Sequence, residues 1–280
     1  MSPFVLWLAD GDAFFLGILT AIIGLIARWW LKNSLALALA RIIEIIGVAS
    51  VLASSTPFPV WAYCIWFALW ITNFALPAPR TKRLAFSLFL MLSALLCLLE
   101  FPHHRCPVIP IGRDQHVYVL GDSISAGVGT SERNWPLVLG DISHLQVTNL
   151  AQAGATAATA LSQEDGIIVP RSLVLIEIGG NDLLGTTSSD EFAVSLDTLL
   201  HKIPASSHCA MFELPLLPFH GGYGEVQRAL AKKYNVILIP KKVLTEVIGG
   251  NGNTLDGLHL SQKGHDALAR TVFRMLAITR

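Results

Sequence analysis

The 280-residue chain lacks any surplus of charge, with 20 basic and 20 acidic side chains. That balance excludes the basic footprint of a nucleic-acid binder. Cysteine is scarce: Cys64, Cys97, Cys106 and Cys209 have neither a disulfide-framework spacing nor a zinc-ligand spacing. There is no internal repeat and no low-complexity tract. Charge is nearly missing from one end, with ten charged residues in 1–101 and thirty in 102–280. Histidine is absent before residue 103, whereas six of the seven tryptophans fall within the first seventy residues. These asymmetries divide the chain in two.

Four apolar runs fill the first part: 13–31, 35–53, 58–76 and 84–101. Each approaches the roughly 20 residues that a helix needs to cross a bilayer. The breaks are Lys32-Asn33-Ser34, residues 54–57 and residues 77–83. A cleaved signal peptide fits poorly, because no basic segment precedes the first run and three more follow it. The pattern predicts four transmembrane helices over residues 1–101. Arg28 and Lys32 flank the first break, and Arg80, Lys82 and Arg83 fill the third. Basic loops stay cytoplasmic, so the N-terminus and residues 102–280 are both expected outside. Arg41 and Glu44 interrupt the second run and share a helix face. The expected arrangement has Arg41 snorkelling while Glu44 pairs with it or with a neighbouring helix. Residues 102–115, Pro-rich and containing His103-His104-Arg105-Cys106, read as a solvated connector.

Beyond residue 115 the apolar runs become short and β-branched. Segments 116–120, 145–150, 173–178, 209–214 and 236–239 predict five buried strands. Helices are expected over 134–142, 156–162, 190–202, 223–234 and 261–278. This alternation predicts a parallel sheet covered on both faces, a three-layer α/β/α domain. In such sheets the ligand sits at the carboxyl ends of the strands.

Four features fall there. Ser123, in Gly121-Asp122-Ser123-Ile124-Ser125, follows the first strand. A turn from strand to helix holds its hydroxyl clear of the sheet. Gly154 follows the second strand, where glycine lets the backbone approach a ligand. Asn181, in Gly179-Gly180-Asn181-Asp182, follows the third and offers an amide donor. Asp256 precedes His259 by three residues, so its carboxylate can accept the ring Nδ1–H and leave Nε2 to deprotonate a serine. Each piece alone fits ordinary turn or cap chemistry. Their common order at strand ends does not. Asp122 and Asp182 read as supports of their turns, and His265 as a surface histidine. His220 sits in a glycine-flanked loop, after an apolar stretch, 214–219, able to meet either an acyl chain or the sheet edge.

On these motifs, residues 116–278 resemble the SGNH (GDSL) hydrolase family. Trp135-Pro136 and Leu175-Ile176-Glu177-Ile178 bring the chain nearest to its bacterial thioesterase/lysophospholipase branch. The resemblance implies a flavodoxin-like fold over 116–280 and hydrolysis of esters or thioesters without metal or cofactor. It implies Ser123 as nucleophile, His259 as base and Asp256 as its orienting carboxylate. The oxyanion donors would be Ser123 N–H, Gly154 N–H and the Asn181 amide. The four-span region departs from that branch. Together they suggest an enzyme of a bacterial plasma membrane, its domain facing the periplasm and acting on acyl lipids or related acyl esters beside the bilayer. The alternatives are an O-acetyl esterase or acyltransferase on envelope glycans, and a membrane scaffold whose α/β domain only binds.

Overall fold

The computed structural model describes residues 2–54, 56–75, 79–129 and 132–279. The chain forms two compact units. One contains the segment ending at Leu6, residues 103–216 and the chain from Gly222 onward. The other contains 7–102 and 217–221.

Helix α1 (Pro3–Ala9) opens the chain. The helical unit is built from α2 (Asp12–Trp30), α3 (Ser34–Ala53), α4 (Val60–Ala75) and α5 (Pro79–Glu100). Asn33 caps α3 by accepting the N–H groups of Leu35 and Ala36. Helices α2 and α3 pack backbone to backbone: a Cβ on Gly47 would lie 2.4 Å from Ala21 N. Small residues permit that close approach of the two backbones. The outer faces remain apolar, with Leu19 and Ile23 of α2 and Leu39, Ile42 and Ile46 of α3 exposed. Glu44 is fully buried and pairs at 3.0 Å with Arg28 of the neighbouring α2, the second of the two expected arrangements. Trp70 Nε1 donates to the same carboxylate at 2.6 Å.

Three helices among the described residues have the length and composition to cross a membrane: Asp12–Trp30, Ser34–Ala53 and Arg83–His104. Four were expected. The third apolar run instead forms α4, whose 16 described residues would span about 24 Å at 1.5 Å per residue. Leu76, the expected end of that run, lies outside the described residues, as do Ser55, Pro77 and Ala78 of the breaks.

The second unit begins with β1 (Ile109–Gly112), inside the stretch expected to be connector. There follow β2 (Val117–Gly121), α6 (Ser123–Ala126), α7 (Trp135–Ser143), β3 (Val147–Asn149), β4 (Leu173–Glu177) and α8 (Gly180–Leu184). The chain continues through α9 (Ser189–Lys202), β5 (His208–Phe212), α10 (Gly221–Tyr234), β6 (Ile237–Ile239), α11 (Lys241–Gly249), α12 (Gln262–Met275) and β7 (Leu276–Thr279). The main sheet is parallel throughout, in the order β3-β2-β4-β5-β6. This is the flavodoxin-like order, with its switch point between β2 and β4.

Alternation along the strands builds the layers. Val117 and Val119 of β2 and Leu173 and Leu175 of β4 face Trp135, Leu139, Leu244, Leu268 and Val272 of α7, α11 and α12. Leu120, Val174 and Ile176 point the other way, onto Phe192, Leu196 and Leu199 of α9. Helix 261–278 was expected to be continuous. It ends at Met275, and β7 pairs in parallel with β1. The expected helix at 156–162 contracts to a 3-10 turn at Thr159–Ser162.

Candidate active site

The strand ends gather the site. Register places Gly121 opposite Glu177, and Asp122 N donates to Glu177 O at 3.2 Å. Gly121 is obligatory: a Cβ there would lie 2.8 Å from Glu177 O and from Ser125 Oγ. Gln163 clamps this residue with a buried amide, accepting from Gly121 N and donating to Gly121 O, both at 2.9 Å. Asp122 Oδ1 accepts Ile124 N–H at 2.9 Å, which fixes the turn that carries Ser123 at the start of α6.

The C-terminal loop is shaped in the same local way. Asp256 Oδ1 accepts the N–H groups of Leu258 and His259 at 3.0 and 2.8 Å, forming an Asx turn. Its Oδ2 meets His259 Nδ1 at 2.6 Å. The bond to His259 holds the Asp256 carboxyl well below the usual carboxylate range, helped by the two backbone donors.

Ser123, Asn181 and His259 line one cavity of about 150 Å³. Its apolar walls include Leu184, Leu214, Leu244 and Ile248. Asp256 stands behind His259, partly in solvent. Gly154 is not a wall of this cavity but is tied to it, since Asn181 Nδ2 donates to Ala155 O at 2.9 Å. Gly154 has φ +78°, a conformation that disfavours side chains, and nothing lies within 4 Å of the position a Cβ would take. Asp182 is buried, and its Oδ2 accepts Ala157 N–H at 2.8 Å, so it fastens the Gly154 loop to α8. Burial raises its pKa. Larger hollows of about 610 and 310 Å³ lie at the amino ends of strands, beside His208 and beside His116. Neither contains any of the four strand-end features.

Gln163 escaped the sequence reading, and Glu177, Ser125 and Trp135, quoted there within motifs, were given no role in the site. Ser125 Oγ donates to Glu177 Oε2 at 2.9 Å and receives Trp135 Nε1–H at 3.1 Å. A carboxylate in an otherwise apolar, fully buried strand was the available signal for Glu177. His265, expected at the surface, is fully buried, and its Nδ1 accepts Trp135 N–H at 3.2 Å. Burial lowers its pKa. Of the apolar stretch 214–219, Leu214 and Pro215 line the cavity, whereas Phe219 is exposed and belongs to the helical unit.

A strand-end serine and a carboxylate-paired histidine on one apolar cavity define an ester hydrolase of the α/β/α class. The family profile for GDSL-like lipases and acylhydrolases matches residues 119–267, and the chain belongs to that family. The psychrotrophic esterase EstA from Pseudoalteromonas sp. shares the fold: 22% identity, TM-score 0.53, covering 58% of this chain and 96% of that one. TesA is similar at 27% identity and TM-score 0.51, covering 57% of this chain and 97% of that one. Comparison with curated proteins gives no match.

Proposed function

We propose that the chain is a membrane-anchored serine esterase acting through an acyl-serine intermediate. One observation carries this reading: Ser123, Asn181 and His259 line a single cavity, and His259 Nδ1 is already held by Asp256 at 2.6 Å. With Nδ1 occupied, Nε2 takes the Ser123 proton as Oγ attacks the acyl carbonyl. The imidazolium then protonates the leaving alcohol or thiol. Negative charge on the carbonyl oxygen is met by the N–H groups of Ser123 and Gly154 and by the Asn181 amide. Water, deprotonated by His259, releases the acid and regenerates the serine.

The cavity favours small acyl groups. A pocket near 150 Å³ with aliphatic walls accepts a group about the size of benzene. Leu184, one of its lining residues, is exposed to solvent. The cavity's size favours short-acyl esters, O-acetyl groups of envelope glycans among them, over long-chain lipids.

The anchor reading rests on α2, α3 and α5 and on their exposed apolar faces. Leu6 packs against the hydrolase core, which supports a topology with residues 2–6 and the catalytic domain on the same side of the bilayer and the short α4 as a fourth crossing. The basic breaks at Arg28–Lys32 and Arg80–Arg83 favour the extracytoplasmic side for both.

Turnover of p-nitrophenyl esters from acetyl to palmitoyl by the full-length protein in detergent tests the reading. Ser123-dependent activity greatest on short chains is expected. Activity that survives Ser123→Ala contradicts it.

A further inference from the structure

Two carboxyl groups lie side by side beneath the nucleophile turn. Asp122 follows β2 and Glu177 ends the neighbouring β4; each is only 3% exposed, and both line the same cavity. Two like charges sharing a dry site cannot both persist. The charged and titratable groups facing the pair are Asp182, a third acid, and His259. Neither supplies a permanent positive charge.

Neighbouring donors define where the remaining charge sits. Asp122 accepts two hydrogen bonds, Ile124 N–H on Oδ1 and Asn181 Nδ2 on Oδ2 at 3.3 Å. Glu177 receives Ser125 Oγ–H on Oε2, which leaves its other oxygen to carry a proton.

Resting on the esterase reading above, we propose that Asp122 and Glu177 hold one proton between them as a positioning pair: Glu177, protonated, donates to an ionised Asp122, which aligns Asn181 and faces His259 with one fixed negative charge. Burial pushes both groups up, Asp122 to about 6, and Glu177 well above the usual glutamate range, where the charge of Asp122 adds to the effect of burial. On this proposal the pair carries one negative charge at neutral pH. That charge favours the imidazolium formed when Ser123 gives up its proton. It also accepts from the Asn181 amide, whose other bond goes to Ala155 O. Ionisation of Glu177 at alkaline pH would force the carboxylates apart and disturb both partners.

The test compares full-length wild type, Glu177→Gln, Glu177→Leu and Asp122→Asn in detergent. The infrared C=O band of a protonated carboxyl should be present in wild type at pH 8 and absent in Glu177→Gln, whose amide N–H replaces the O–H. On p-nitrophenyl butyrate, Glu177→Leu should lower kcat on the order of tenfold or more, and Gln should restore most of the loss. Wild type should show an alkaline decline of kcat that Glu177→Gln lacks. Asp122→Asn should lower kcat with little change in KM. No protonated-carboxyl band at pH 8, or an unaltered alkaline limb in Glu177→Gln, overturns the proposal. If the band is present but no turnover depends on Ser123, the esterase reading fails and the positioning role fails with it, while the shared proton stands.

Discussion

Asp256 Oδ2 lies 2.6 Å from His259 Nδ1, and the same aspartate uses Oδ1 to hold the backbone N–H of that histidine. One side chain therefore fixes both the ring and the loop that presents it. Asp256→Asn retains an oxygen for the loop but offers the ring an amide donor or the wrong tautomer. Its kcat is expected to fall by about 10²–10⁴ with modest change in KM, measured on a short p-nitrophenyl ester. Equal activity of Asp256→Asn and wild type would separate this carboxylate from the chemistry.

Asn181 spans two loops, bonding Ala155 O and Asp122 Oδ2 through one amide nitrogen. The longer bond, 3.3 Å to Asp122, is the one it can most readily exchange for an oxyanion. Asn181→Ala should cost about 10²–10³ in kcat, as removal of one oxyanion donor does elsewhere. A rise in KM at unchanged kcat would instead make Asn181 a ground-state binding residue.

Gly121 tests the strand-end architecture independently of chemistry. Its missing Cβ is replaced by Glu177 O and Ser125 Oγ at 2.8 Å. Gly121→Ala should destabilise the domain by about 1–3 kcal/mol, because a backbone oxygen must move to admit the methyl group. Thermal unfolding in detergent measures this, and a melting temperature equal to that of wild type would refute the close approach.

The buried Glu177 also makes stability depend on pH. Its pKa is raised in the folded state, so folding favours the protonated form. Its contribution is complete below the ordinary carboxylate pKa of about 4.3 and is lost as pH rises through the folded value. Wild type should therefore lose stability from about pH 5 upward, and Glu177→Gln should show a flatter profile. Parallel profiles across that window would show that Glu177 carries no such linkage.

Much of the hydrolase fold was legible because buried parallel strands advertise themselves as short β-branched runs. Strand 173–178 and β4 (Leu173–Glu177) nearly coincide for that reason. The motif residues were legible because turns and caps obey local rules, as Asp122 and Asp256 do. What escaped depended on contacts distant in sequence. Strand β1 pairs with β7 across the whole domain, and nothing local marks Ile109–Gly112 as a strand. Helix α11 supplies Leu244 and Ile248 to the cavity, yet its short run after β6 carried no distinctive pattern. His265 looked polar and terminal, but α12 turns it inward against Trp135. Glu44 was expected to pair with Arg41 or with a neighbouring helix, and only the packing of α2 against α3 decides for Arg28.

The most direct test of the whole account is labelling of the full-length protein by a fluorophosphonate, mapped by peptide mass spectrometry. Modification should fall on Ser123 and disappear in Ser123→Ala. Labelling of a different serine, or undiminished labelling of Ser123→Ala, would contradict the assignment of the nucleophile and every role built around it.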